Sequence, residues 1–331
     1  MMSSNSRPAV WLVTTLCFLC ACSSETETAG QSGSGGGGSE PSLAPEAFLS
    51  TSQYDCTATG PFAPPERPHA QDCFADPSCT SRLITAHRIA TPFAPENSLS
   101  ALRAAILLGV DIIETDLRLT ADGEVVFIHD GEVDRTLEGT GEVSSMTLSE
   151  IRAMPMQVPS GIPQGDYSCD RTPTLDEIFG LSAGRIVIDL DVKNTQAGII
   201  TAQYMADKGL NGDAFLLCSI GQCDEIRAAV PDAPIMSRPK EPDEVAGELL
   251  YDPPPIMVHV DATEAFLTPE IIDSIHSIDA KIFANGMLRA DIEAIVAKRL
   301  EGYGEMFDEG LDVLQVEYPH LALTGLGRLE P

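Results

Sequence analysis

Short apolar runs that alternate with helix-patterned stretches constrain the fold of this chain more than any other feature. Runs that read as strands fall at 83–86, 112–116, 125–128, 185–193, 214–218, 234–236, 256–260, 281–284 and 313–316. Helical spacing separates many of them: Leu99, Leu102 and Ile106 repeat at intervals of three and four before Gly109, a residue suited to a C-terminal cap. Helices are also expected over 175–181, after the Thr268-Pro269 start signal, and over 288–300. Strands alternating with helices predict a parallel α/β sheet, and the roughly 250 residues from Leu83 onward match one TIM (β/α)8 barrel. Nine runs are one too many for such a barrel, so either 234–236 or 256–260 is expected to lie outside it. Leu117–Glu124, too short for a helix, reaches about 26 Å if extended and is expected to lead back to the barrel's other end, turning at Asp122-Gly123. A Gly- and Pro-rich stretch at about 131–172 is expected as an insertion after the third strand, covering the site as a lid or rim. Its glycines have no strand–GxGxxG–helix context and do not make a nucleotide loop.

The chemistry concentrates at the ends of those runs. His87 and His129 each follow a short apolar run, with Arg88 beside the first. Glu114 and Asp116 stand two apart, so in a strand both side chains share one face. Asp189, Asp191 and Lys193 share a face by the same spacing. Catalytic residues of such barrels gather at the C-terminal ends of the strands, and clustered carboxylates need a compensating charge. Carboxylate oxygens suit a hard divalent cation, Ca²⁺ or Mg²⁺, better than zinc. The set predicts a metal-assisted hydrolytic site. Asn97 reads either as a helix N-cap or as a site amide.

In order, His87-Arg88, Pro95-Glu96-Asn97-Ser98, Glu114-x-Asp116, Thr120-x-Asp122-Gly123 and His129-Asp130 resemble the glycerophosphodiester phosphodiesterase family. Further matches are Pro173-Thr174-Leu175-Asp176-Glu177, Asp191-Val192-Lys193, Asn285 and the segment from Gly310 to Pro319. The resemblance implies a TIM barrel that hydrolyses glycerophosphodiesters to glycerol 3-phosphate and an alcohol. It implies His87 and His129 as general acid and base, with Arg88 and Lys193 in the catalytic set. Glu114, Asp116 and Asp191 become the metal ligands, with Asp189 an alternative third ligand; Asn97, Asn285 and Glu317 would contact substrate. The chain departs from the family at Ile89, where glycine is usual, at Asp191, where glutamate is usual, and at Glu317, where Thr-Asp is usual. Two rivals share these residues: a phospholipase-D-like or phosphoinositide-lipase-like enzyme acting on intact lipids, and a non-catalytic surface protein with a decayed site.

Charge narrows the partners. Fifty acidic residues against 20 basic give a net charge of −30, which excludes nucleic acid and disfavours anionic membranes. The N-terminus reads as a targeting segment. Ala9–Ala21 is apolar but too short to span a bilayer, so 1–21 is expected as a signal peptide. Leu19-Cys20-Ala21-Cys22 resembles a lipobox with Cys22 lipidated, a plain signal peptide being the alternative. Residues 22–55 are then expected as a Gly/Ser-rich tether of an exported, membrane-anchored lipoprotein, periplasmic or at the cell surface. Beyond Cys22, six cysteines remain, an even number that allows up to three disulfides in 15 connectivities. A Cys/Pro-rich extension over 56–82 is expected to be pinned by them. His69, His259, His276 and His320 have no matched partners and read as structural, His259 beside Asp261 being the one to watch.

Overall fold

A computed structural model describes residues 42–331. The expected signal peptide, the lipidation residue Cys22 and the Gly/Ser run lie outside the described residues. Nine strands follow in chain order: β1 (Leu83–Ala86), β2 (Ile112–Leu119), β3 (Val125–Phe127), β4 (Val187–Val192), β5 (Ala214–Cys218), β6 (Ile235–Ser237), β7 (Met257–His259), β8 (Lys281–Asn285) and β9 (Val313–Val316). Eight of them close a parallel barrel in the order β1, β2, β4, β5, β6, β7, β8, β9, with β9 pairing back onto β1.

The ninth run is displaced from the barrel for a reason that spacing did not reveal. Both 234–236 and 256–260 contribute barrel strands, β6 and β7, and β3 is the one left out. β2 runs on to Leu119, past the carboxylates, and the chain turns at Thr120–Glu124, where Thr120 N–H bonds Glu124 O and Gly123 takes φ +83°. β3 then pairs antiparallel with β2, Leu119 opposite Val125 and Leu117 opposite Phe127. The connection is a hairpin at the barrel's C-terminal rim, not a return to its far end.

Helix signals fared well where caps were explicit. Leu99–Leu108 is capped by the Ser98 hydroxyl, which accepts from Ala101 N–H, and ends at Gly109 with φ +76°. Pro269–His276 starts at Thr268 as expected, and Leu175–Ser182 starts in a Thr174/Glu177 capping box. The expected helix over 288–300 is shorter, Ala290–Val296.

Alternate residues of all eight strands fill the lower barrel: Leu83, Ile112, Val187, Phe215, Met236, Met257, Phe283 and Val313 form one buried cluster. Ala70 and Cys73, from a short helix at Ala70–Ala75, join this cluster, with Phe74 edge-on to Phe215. That helix plugs the barrel's N-terminal end. Two residues further along the strands the same inward register carries Thr85, Glu114, Asp189, Arg238, His259, Asn285 and Gln315, with the apolar Leu217 on β5 as the exception. The interior thus changes from apolar to polar halfway up, which builds a site at the C-terminal mouth.

The N-terminal extension is folded against the barrel earlier than expected. Tyr54 is fully buried and Leu49 nearly so, because each fills the main core, so residues 42–55 are not free tether. The six cysteines pair as Cys56–Cys169, Cys73–Cys79 and Cys218–Cys223. Only the first joins the extension to the 131–172 insertion. That insertion has a small core of its own, Val133, Leu137, Val143, Ile151 and Met156 packed on Val126 and Ile128. Among the described residues no helix is long and apolar enough to cross a membrane.

Candidate active site

The loop after β1 is strapped to β2 by its own backbone. Arg88 N–H donates to Glu114 Oε2 at 2.9 Å, Ile89 N–H to Glu114 O at 3.1 Å, and Asn97 N–H to Arg88 O at 3.1 Å. To aim these groups, Arg88, Ile89 and Ala90 adopt positive φ of 45°, 60° and 57°. For a β-branched residue such as Ile89 that is an outlier, costing about 1–2 kcal/mol. Full burial of Ile89 and Ala90 in the core holds the turn.

Glu114, Asp116 and Asp191 present carboxylate oxygens within 4.8 Å of one another. The β2–β4 register sets Asp116 directly opposite Asp191 and Glu114 opposite Asp189. Asp189 is fully buried one layer deeper, neither of its oxygens bonded, and stands outside this group. Geometry therefore groups Asp191, not Asp189, with the β2 pair. Burial first, then the charges of Asp116, Asp191 and Asp189, pushes the Glu114 carboxyl well above the usual range. Burial and the same neighbours do this to Asp189 too. Three facing carboxylates, one of them held towards its neutral form for want of positive charge, fit a divalent cation.

Lys193 Nζ lies 3.1 Å from Asp116 Oδ1 and 2.5 Å from Asp191 Oδ2. Burial opposes its charge, but the two aspartates prevail and raise its pKa. Asn97 is not the helix cap; Ser98 is. At φ +56° its amide donates to Asp116 Oδ2 at 3.3 Å, and its Oδ1 accepts from the Thr115 hydroxyl at 2.9 Å.

His87 Nδ1 bonds Glu317 Oε1 at 2.6 Å, and its Nε2 lies 3.9 Å from Glu114 Oε2. Burial works against the Glu317 charge, yet the His87 hydrogen bond and the nearby positive charge hold its pKa below the usual value. Glu317 N–H is fixed by Asp291 Oδ2 at 2.7 Å. Asn285 ends β8 with its Oδ1 buried and unbonded, level with Gln315 on β9.

His129 follows β3, and Ile128 N–H bonds Asp116 O, so the hairpin lays this histidine beside the carboxylate strand. Arg118 holds the His129 carbonyl at 2.6 Å, and His129 Nδ1 meets Asp130 Oδ1 at 2.8 Å. Arg135, from the insertion, donates to Asp130 Oδ2 at 2.6 Å and forks onto Glu96 at 2.5 and 2.9 Å. Its hydrogen bond is the main reason the Asp130 pKa falls to about 2. Arg88 Nη1 reaches the same Glu96 at 3.4 Å. Glu96 and Asp130 stand within the quoted motifs, but nothing in the local pattern marked Arg135, Arg118 or Asp291.

The other histidines do separate work. His69 caps the plug helix, His276 pairs with Asp312 at 2.9 Å, and His320 is buried among Phe48, Phe93 and Tyr318. His259 is buried in the polar layer with both ring nitrogens unbonded, and burial, with Arg238 and Lys240, keeps it neutral. A cavity of about 760 Å³ lies at the barrel's opposite end, beside Arg67, Asp111 and Arg328. Its arginines are already paired with Asp111 and Asp308. Chemistry, not volume, places the site.

The chain is thus a closed parallel (β/α)8 barrel whose mouth brings three carboxylates together with a lysine and two carboxylate-held histidines. Residues 87–211 match the model of the glycerophosphoryl diester phosphodiesterase family. Over those residues the chain is similar to that family. It is 40% identical over 114 residues to a glycerophosphodiester phosphodiesterase of Caldanaerobacter subterraneus subsp. tengcongensis, covering 34% of this chain and 45% of the relative. The Bacillus subtilis relative YhdW is 31% identical over 165 residues, 47% of this chain and 66% of that one. The chain therefore spans about half to two thirds of the length of these relatives. Among solved structures, a glycerophosphodiester phosphodiesterase from Agrobacterium tumefaciens shares the fold at TM-score 0.59 and 24% identity, over 72% of this chain and 97% of that one. An Oleispira antarctica phosphodiesterase, solved with the product sn-glycerol-3-phosphate, has TM-score 0.59 and 20% identity, over 74% and 96%.

Proposed function

We propose that this protein hydrolyses glycerophosphodiesters to glycerol 3-phosphate and an alcohol, with Ca²⁺ or Mg²⁺ held by Glu114, Asp116 and Asp191. The observation that carries this reading is the convergence of those carboxylates within 4.8 Å of one another, with Lys193 on two of them and His87 beside the third. The product bound to the Oleispira relative supports the same substrate class. A bound divalent cation would neutralise phosphoryl charge as a Lewis acid.

The protein's own groups divide the remaining work. Glu317 holds His87 Nδ1 and Asp130 holds His129 Nδ1, so each histidine keeps Nε2 for proton transfer. One histidine takes the proton from the attacking hydroxyl; the other gives one to the leaving alcohol oxygen. Arg88 and Lys193 offset charge on the phosphoryl oxygens. The glycerol 2-hydroxyl is the nucleophile, because an intramolecular attack gains from proximity. It displaces the alcohol, forming a cyclic glycerophosphate, and water then opens the ring.

A chelated, metal-verified preparation should show no turnover, and added Ca²⁺ or Mg²⁺ should restore it. Either histidine changed to alanine should lose about 10²–10⁴ in rate. A substrate with hydrogen in place of the 2-hydroxyl should resist cleavage; cleavage at the parent's rate would mean direct attack by water. We further propose that Cys22 carries a lipid anchor on an exported protein. Cys22→Ala should move the protein from the membrane to the soluble fraction, and unchanged fractionation would refute the anchor.

A further inference from the structure

Every described arginine except one places its guanidinium in a hydrogen bond or ion pair. Arg103, Arg118, Arg171, Arg185 and Arg227 donate to carbonyls, and the rest pair with carboxylates. The exception is Arg238, which bonds only through its main-chain N–H, to Cys218 O. In a chain with 50 acidic and 20 basic residues, a half-buried guanidinium without a carboxylate partner needs a reason.

Its position supplies one. Arg238 directly follows β6, two residues beyond the inward-facing Met236, so it rises from the barrel wall at the mouth. There it shares a cavity of about 110 Å³ with Asp191, Ser219, Gln222 and Lys240. Among the described residues, Lys240 likewise has no carboxylate within ion-pair distance, although its surroundings include Asp191, Asp261 and Glu244. β6 stands four strands from β1 around the eight-stranded barrel, so these cations face the His87–Arg88 strand across the opening.

Charge accounting then points outward. Glu114, Asp116 and Asp191 carry three negative charges, and Lys193 with a divalent cation supplies three positive ones. Arg135 is committed to Glu96 and Asp130, and Arg88, which touches Glu96 only at 3.4 Å, serves the phosphoryl oxygens. Arg238 and Lys240, by contrast, have no carboxylate of their own within ion-pair distance, and side by side in one cavity they suit an anion beyond the phosphodiester itself. The glycerol arm is neutral, so a further negative group can sit only on the alcohol arm.

We propose that Arg238 and Lys240 form a subsite for an anionic alcohol arm, so that the preferred glycerophosphodiesters carry a carboxylate or phosphate on the leaving alcohol. The inference rests on the hydrolytic reading above and names its substrate class. A guanidinium pairs with either anion in two parallel hydrogen bonds, and an ammonium beside it adds charge without geometry.

The test compares three leaving alcohols of similar size on one glycerophosphate: ethanol, 3-hydroxypropionate and choline. For wild type, kcat/KM should rank the carboxylate arm above ethanol and choline last. Arg238→Ala should lower the carboxylate-to-ethanol ratio at least about tenfold, the size of one charge-assisted bond. Arg238→Glu should move the preference to choline, and Arg238→Lys should recover part of the ratio. Binding of non-cleavable phosphonate analogues, measured by calorimetry on the metal-loaded protein, gives a second readout that needs no turnover. A wild type that binds the carboxylate and ethanol analogues equally overturns the subsite, as does an Arg238→Ala loss equal for all three arms. Absence of any hydrolysis, with the binding preference intact, counts against the hydrolytic reading and not against the subsite.

Discussion

Arg135 lays both terminal nitrogens of its guanidinium on Glu96, at 2.5 and 2.9 Å, and so ties the insertion after β3 to the loop after β1. Through Asp130 on one side and Arg88 on the other, this pair links the segments that carry His129 and His87. Arg135→Ala should therefore lower kcat by about tenfold while changing stability little, since a half-exposed ion pair is worth only about 0–1 kcal/mol. Arg135→Lys should not restore the rate, because an ammonium cannot span both Glu96 oxygens and Asp130. Full activity in the alanine variant, with an unchanged pH profile, would remove Arg135 from the positioning of His129.

Replacing Ile89 by the glycine usual in the family brings two effects into opposition. Glycine relieves about 1–2 kcal/mol of left-handed strain at φ +60°. It also removes a fully buried isoleucine from the main core, at about 2–5 kcal/mol. Burial wins, so Ile89→Gly should lower the denaturation midpoint. A midpoint that rises would show that strain dominates.

Glu114→Gln should weaken calcium binding about tenfold or more, as read by calorimetry. It should also raise the melting temperature of the metal-free protein. Glu114 has its pKa raised in the fold, so its contribution to stability is present in acid and is lost as pH rises to neutrality. Glutamine abolishes that loss and can still accept from Arg88 N–H. Added calcium should accordingly stabilise the wild type more than the variant.

Asp291 supplies a pH dependence remote from the carboxylate group. Burial pushes its pKa up to about 6, even though Tyr303 and the Glu317 amide both donate to it. A raised carboxyl favours folding below the unfolded value near 4, and that advantage of up to about 3 kcal/mol fades as pH climbs towards 6. Asp291→Asn should flatten the unfolding free energy across that interval in urea titrations. An unaltered slope would place the titration elsewhere.

Period-two spacing in the sequence already set Glu114 and Asp116 on one face, and the Gly109 end and the Thr268-Pro269 start each marked a helix boundary. Local pattern cannot report where a strand stops when its continuation remains β-forming: Leu117–Leu119 extends β2 and turns the expected crossover into a hairpin. The role of Asn97 was ambiguous for the same reason, because asparagine serves a cap and a site equally well, and only the neighbouring Ser98 hydroxyl decides. Arg135, Arg238 and Asp291 were illegible because their meaning lies in partners, or the lack of them, that only the closed barrel brings within reach.

The Cys56–Cys169 bond joins residues 113 positions apart in sequence, and His87, Arg88, Asn97, Glu114, Asp116 and His129 all lie inside the ring it closes. A single protease cut on the exposed insertion would open the ring to a linear, still covalently continuous assembly, without shedding either half of the site. Reduction alone would leave an intact chain; nicking and reduction together would part the histidines and the β2 carboxylates from Asp191, Lys193 and Glu317. In a milieu rich in proteases this bond makes the mouth tolerant of damage that would divide an uncrosslinked barrel into two fragments.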